Sequence, residues 1–182
     1  MATETKWTFD EEYVKDFSKR RGEPEWLMEE RLTAIRLADK LELPKPEKTN
    51  IKTWNFTEFK HETENSGMVN QVEELPEDVQ RLIDSSGGEQ NLIVFRDGKP
   101  LYRSVHERLQ QQGVVFVDIE TAAKEHSELL KQYFMGKAVK VDEHRLNALH
   151  VALLNGGVFV YVPKNVQVEA PLQTVYLQED PE

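Results

Sequence analysis

The sequence has no cysteine among its 182 residues, which removes disulfide frameworks, zinc knuckles, thiolate nucleophiles and cysteine-ligated iron–sulfur clusters from this chain. It has no run near the ~18 consecutive apolar residues of a membrane span, and its first residues carry no apolar stretch of signal type. Positive charge is the scarcer kind: 23 Lys and Arg against 33 Asp and Glu leave a formal charge of −10 at pH 7. With a pI near 5.1, that balance speaks against a nucleic-acid binder, whose affinity rests on Lys and Arg displacing counterions from phosphates. A hydrophobic share of 38% and a mean hydropathy of −0.63 imply a soluble, acidic, intracellular protein. A chain of this length buries ~70% of its unfolded surface, enough for one core and a small appendage.

Phosphate loops are absent as well. Gly98-Lys99 and Gly136-Lys137 are followed by Pro100 and Ala138 and lack the preceding glycine of G-x-x-x-x-G-K-[ST]. No G-x-G-x-x-G follows a strand, and Ser85-Ser86-Gly87-Gly88 has the spacing of a helix stop rather than of a nucleophile elbow. Asn55-Phe56-Thr57 matches a glycosylation sequon with no sign of secretion around it.

What is present reads as a mixed α/β (α+β) chain in four parts: a helical pair over 1–46, an irregular connector over 47–75, a small α/β domain over 76–157 and a β segment over 158–182. Asp10 caps a first helix with Tyr13, Val14 and Phe17 on one face, stopped at Gly22. Pro24 restarts a second, with Leu27, Ala34, Ala38 and Leu41 on its inner face and Met28, Leu32 and Ile35 beside them, ended before Pro44 and Pro46. In the connector, Trp54, Phe56 and Phe59 are expected to pin an irregular segment to a surface, ahead of a mobile polar stretch through Asn65-Ser66-Gly67. Pro76 opens a short helix with Val79, Leu82 and Ile83 inside. Leu92 to Phe95 is a buried strand, Asp97-Gly98 a type I′ turn into Leu101-Tyr102, and Val114 to Val117 a second buried strand. A helix started by Asp118 and Thr121 turns Ala122, Leu129, Leu130 and Phe134 inward and stops at Gly136. A last helix, from about Asp142 to Asn155, is so apolar that burial on most sides is expected, with Asn155-Gly156-Gly157 ending it.

Beyond Gly157 the texture becomes all-β, with strands expected at Val158–Val162, Val166–Val168 and Leu172–Leu177, separated by tight corners at Pro163-Lys164-Asn165 and Ala170-Pro171. Three short strands of this kind look like the first turns of a stacked solenoid, which buries a rung only against its neighbours, so the chain reads as the front of a longer protein. The same texture also admits a small terminal sheet folded back on the helical core.

Site chemistry is thin. The histidines are His61, His106, His126, His144 and His150. His144 and His150 fall on different helix faces and cannot chelate one ion; His150 amid leucines is expected to be a hydrogen-bonded core histidine, and His144 a solvated helix start. Glu73, Glu74, Glu77 and Asp78 crowd a helix entry, where they favour the helix dipole without any metal.

The run Arg145-Leu146-Asn147-Ala148-Leu149, then Asn155-Gly156-Gly157-Val158-Phe159-Val160-Tyr161-Val162-Pro163-Lys164-Asn165-Val166, then Ala170-Pro171-Leu172-Gln173, resembles the SufB/SufD family of iron–sulfur cluster assembly proteins. Glu23-Pro24-Glu25-Trp26-Leu27, Arg31-Leu32, Leu43-Pro44-Lys45-Pro46 and Trp54 resemble the opening of the SufD-type branch. The resemblance implies an N-terminal helical and α/β region leading into a right-handed β-helix, here truncated. It further implies a SufD-like, non-catalytic scaffold or adaptor of the cytoplasmic SUF complex, with a SufB-like scaffold and a SufC-like ABC ATPase as partners. It assigns no catalytic, cofactor-binding or metal residue here; Asn147, Gly157, Tyr161, Pro163 and Gln173 take structural readings as helix exit, corner and rung. The fragment alone is expected neither to bind iron nor to hydrolyse ATP, and its β edges would allow a homodimer. Two readings stand against this. One is a small α/β hydrolase or transferase built on His106, His126 or His150 with a carboxylate; the other is an interaction module using Trp54, Phe56 and Phe59.

Overall fold

The computed structural model describes residues 8–56, 59–62, 67–85 and 91–179. Expectations placed on Thr57, Asn65-Ser66 and Ser86-Gly87-Gly88 lie outside them. The chain forms two compact units, each drawn from two stretches: Met1–His61 with Ala123–Leu154, and Glu62–Ala122 with Asn155–Glu182.

The first unit is helical. Helix α1 (Glu11–Arg20) starts as expected, with the Tyr13 N–H donating to the Asp10 carboxylate at 2.8 Å, and the chain reverses at Gly22, whose φ of +61° suits a residue without Cβ. Helix α2 (Glu25–Ala38) buries Leu27, Ala34, Ile35 and Ala38, and also Arg31. Helices α5 (Ile119–Glu125), which belongs to this unit from Ala123 on, and α6 (Ser127–Tyr133) were expected as one; the backbone breaks at His126 (φ −125°, ψ +35°). Helix α7 (Arg145–Ala152) is shorter than expected at both ends. It turns Ala148, Leu149, Val151 and Ala152 onto α2, Ala34 and Ala38 being small enough to let the two helices approach. As expected it is buried on most sides: Arg145, Leu146 and Asn147 are half-buried, Leu146 packs against the same core, and of its eight residues His150 alone is exposed.

The second unit is built on a hairpin. Strands β1 (Leu92–Arg96) and β2 (Lys99–Ser104) pair antiparallel through a turn in which Asp97 and Gly98 hold φ of +48° and +84°, the type I′ geometry. A register shift between Val94 and Phe95 marks a bulge. β1 is central: its other neighbour is β5 (Gln173–Leu177), parallel to it, giving the order β2-β1-β5. That position explains the unbroken apolar run Leu-Ile-Val-Phe. Leu92 and Val94 pack with Leu75, Val79, Ile83 and Leu101, and Ile93 and Phe95 pack on the other face with Phe116. Each such side chain, fully removed from water, contributes about 1.5–3 kcal/mol. Helix α3 (Glu77–Ser85) covers the first of these faces with Val79 and Ile83, while Leu82, expected inside, is 52% exposed. Strand β3 (Val115–Asp118) follows the short helix α4 (Glu107–Gln111) and pairs antiparallel with β4 (Val158–Tyr161).

The region beyond Gly157 therefore departs from the expected succession of three strands. Val166–Val168 is not a strand; no neighbouring backbone supplies it a ladder. β4 and β5 each pair with an earlier strand, in a two-stranded and a three-stranded sheet respectively. What the described residues show is a mixed helix-and-strand fold with small sheets.

Candidate functional site

The most highly constrained polar site belongs to a residue given no role from sequence. Arg31 is 1% exposed. Its Nε and Nη2 donate to the two oxygens of Glu23 at 2.7 and 2.6 Å, a bidentate pair, and the guanidinium lies 5.0 Å from the centroid of the Phe17 ring. The remaining donors reach the carbonyls of Val151 (3.3 Å), Ala152 (3.1 Å) and Leu154 (2.9 Å). These carbonyls lie at the end of α7, where the helix itself supplies no partners. Ser18 donates to Glu23 at 2.7 Å. Glu23 and Arg31 thus form a buried clamp on the end of α7, whose chemistry is structural: every group is engaged by protein. A charge on each of two adjacent elements was the only sequence signal, and it carries no burial information.

The histidines separate in the same way. His61 is the buried one, at 8% exposure, ringed by Phe9, Tyr13 and Phe17. Its Nε2 faces the Leu153 carbonyl at 2.7 Å, which can only accept, so the ring carries its proton there and Nδ1 accepts from the Tyr13 hydroxyl at 2.6 Å. His150, expected in the core, is exposed. At 100° per residue it lies opposite the side of α7 that carries Ala148 and Ala152, and neighbouring leucines in sequence do not change that angle. His144 starts α7 as expected, its Nδ1 accepting from the Asn147 N–H. His106 caps α4, with Nδ1 accepting from the Arg108 N–H, and His126 sits at the α5–α6 break. Among the described residues none of His106, His126 and His150 is hydrogen-bonded to a carboxylate, and no cluster of three His, Asp or Glu side chains could hold a metal. The geometry required of a histidine–carboxylate hydrolase or transferase is not assembled.

The acidic groups have ordinary partners. Glu74 accepts from the Gln71 and Asn70 N–H groups, closing the 3-10 turn Val72–Glu74. A hydrogen bond from Arg36 holds Glu11 below the usual carboxylate range, and one from Lys45 does the same for Glu42. Both pairs lie on the open surface.

The connector aromatics divide. Phe59, 48% exposed, still lays its ring 5.1 Å from that of Phe9, and Phe56 is half-buried, as expected of a segment pinned to a surface. Trp54 is 58% exposed and is held up on a turn closed by its own N–H to the Ile51 carbonyl, while Ile51 and His61, both buried, also anchor the segment. With so little area removed from water, Trp54→Ala is expected to change the unfolding free energy by no more than about 1 kcal/mol, read by circular dichroism in urea. A larger loss would mean the indole packs as core.

The motif residues take places that local chemistry explains. Asn147 lies at the entry of α7, not its exit, and its side chain donates to the Lys140 carbonyl and to Glu143. The Gly157 carbonyl accepts from the Ile119 N–H just ahead of β4, and Tyr161 ends β4 opposite Val115. Pro163 opens a turn closed by the Val166 N–H, with Asn165 left-handed at φ +66°, as expected. Gln173 begins β5 and donates its N–H to the Asn91 carbonyl.

Residues 20–174 match the family described as SufBD protein N-terminal region. The chain is 49% identical over 179 residues to the iron–sulfur cluster assembly protein SufD of Bacillus subtilis, covering 98% of this chain and 41% of that protein. It is 32% identical to a SufBD family protein of Mycobacterium bovis, over 91% of this chain and 20% of the relative. A third relative, from Staphylococcus haemolyticus, is 30% identical over 91% of this chain and 37% of its own length. The chain thus spans between a fifth and about two-fifths of the length of these curated relatives. With the family match running from α1 to β5, the chain belongs to the SufB/SufD family and corresponds to its N-terminal region.

Proposed function

We propose that this chain is the N-terminal part of a SufD-like component of a SUF iron–sulfur cluster assembly complex, acting there as a non-catalytic scaffold or adaptor in the cytoplasm. The observation that carries the reading is the 49% identity, sustained over 98% of the chain, to a protein named for that assembly process. In this reading a SufB-like scaffold and a SufC-like ABC ATPase are the partners, and the segment after Gly157 leads into a right-handed β-helix. The geometry of β5 supports the latter: it runs parallel to β1 at the edge of its sheet, an arrangement to which further strands can be added. The role assigned to this region is mechanical: the Arg31–Glu23 clamp stiffens the helical unit, the two-faced β1 core stiffens the other, and no residue of either holds iron or cleaves ATP.

Co-expression of the full-length protein with its SufB-like and SufC-like partners tests the proposal. The expected result is a co-purifying complex, with cluster formation lost when this component is omitted. Separately purified, the protein described here should contain no stoichiometric iron and show no ATPase or hydrolase turnover. Failure to co-purify would overturn the reading, as would stoichiometric iron abolished by changing His144 or His150.

A further inference from the structure

One cavity in the second unit is shaped by a polar side chain that its own surroundings leave unsatisfied. It has a volume of about 210 Å³ and lies between α4 and the segment that precedes β5. Asn91 forms part of its wall, is 1% exposed, and holds φ of +50°. Its Oδ1 accepts from the His106 backbone N–H at 3.0 Å. Because that N–H can only donate, the orientation of the amide is fixed, and the other end is the NH₂ group. That group has no hydrogen-bond partner among the described residues.

The remaining polar wall is also rich in donors. The His106 ring accepts at Nδ1 from the Arg108 N–H, so the ring proton sits on Nε2. Gln112 and Gln167 add primary amides, and Arg108 adds a guanidinium. Among the described residues the one acid in the wall is Glu169, 3.4 Å from Arg108 with both side chains mostly in solvent (65% and 72% exposed), a pair loose enough to exchange at little cost.

We propose that this cavity binds a carboxylate group. The Asn91 NH₂ and the His106 Nε2–H donate to its oxygens, and Arg108 exchanges Glu169 for the incoming charge. Glu169 is then a resident competitor, occupying the guanidinium until a better-placed carboxylate displaces it. A free dicarboxylate and the acidic side chain of a peptide present the same group, so both are candidate sources. This inference is independent of the assembly role proposed above.

The test is titration of the ¹⁵N-labelled chain with succinate, with acetyl-Gly-Glu-Gly-amide (whose only carboxylate is its side chain) and with inorganic phosphate. Succinate or the peptide is expected to shift the amides of Asn91, His106 and Arg108, with saturation in the millimolar range. Saturation by succinate alone assigns a small-molecule source, by the peptide alone a protein side chain. Arg108→Gln should weaken binding about tenfold, the scale of one charge-assisted hydrogen bond. Glu169→Gln should tighten it roughly threefold by removing the competitor. Glu30→Gln, an exposed acid of the first unit, should leave it unchanged. Asn91→Asp, which swaps the free donor for an acceptor of the same shape, should abolish binding; should that variant fail to fold, the Arg108 and Glu169 variants decide alone. The proposal is overturned if neither carboxylate shifts these amides at about 50 mM, far above the affinity of even a weak site. It is equally overturned if phosphate binds in their place, or if Arg108→Gln and Glu169→Gln bind as the parent does.

Discussion

Arg31→Leu is expected to destabilise the helical unit by about 3–5 kcal/mol, the cost of breaking a buried ion pair by removing one partner. Two losses add up. Glu23, its side chain 3% exposed, loses its bidentate partner and keeps only the Ser18 hydroxyl and, at 3.7 Å, Arg21, and three carbonyls at the end of α7 lose their donor. The double variant Glu23→Leu/Arg31→Leu separates them. Removing the carboxylate that has lost its fork should recover roughly half of the loss, while the uncapped carbonyls retain the rest. Arg31→Lys keeps the charge and still fails, since one ammonium cannot supply the planar fork that reaches a carboxylate and three carbonyls together. All three tryptophans, Trp7, Trp26 and Trp54, lie within the first 61 residues, so tryptophan fluorescence in urea reads this unit directly. A change below about 1 kcal/mol for Arg31→Leu, the range of a surface pair, would show that the clamp is not dry.

The clamp also marks where sequence reading stops. Capping, turn type and strand register are local, and they were legible: Asp10 caps α1, Asp97-Gly98 makes the type I′ turn, and Leu92–Phe95 is the buried strand. What failed depends on contacts distant in sequence. Arg31 lies 120 positions before Val151, and no local pattern pairs them. His150 looked buried because its neighbours are leucines, but α7 presents one side to α2 and His150 is on the other. Conversely, the buried histidine, His61, sits in a polar stretch whose hydrophobicity gives no hint of Phe9, Tyr13 and Phe17 around it. The same limit applies after Gly157, where alternating valines predicted a strand at Val166–Val168 that finds no partner, while the flanking strands pair with β3 and β1. The carboxylate cavity was invisible for another reason. Asn91, His106 and Glu169 carry no shared motif, and only the fold brings Asn91 into a common wall with the other two.

Gly156→Ala is expected to be the most damaging single-methyl addition in the second unit. Asn155-Gly156-Gly157 reads from sequence as a helix terminator, yet α7 has already ended at Ala152, and the requirement at Gly156 is space. A Cβ there would lie 1.8 Å from the Gly98 carbonyl oxygen and 2.8 Å from its carbon. Both obstacles are backbone, fixed by a hairpin turn that Gly98 holds at φ +84°, so no side-chain rotation relieves the clash. Either the β1–β2 turn or the lead into β4 must move. Overpacking of a tight site costs about 1–3 kcal/mol where side chains give way, and a backbone-on-backbone clash belongs at or above the top of that range. Gly136→Ala is the matched control: its Cβ would meet nothing closer than 3.5 Å, ordinary contact, and its effect should stay within about 1 kcal/mol of the parent. Hydrogen exchange resolves where the strain goes. In Gly156→Ala the amides of Asp97 and of β1 and β2 should lose protection first, because the turn they flank is what the methyl pushes against. If their protection and the overall stability both match the parent, the close approach of the two glycines is not a constraint on this fold.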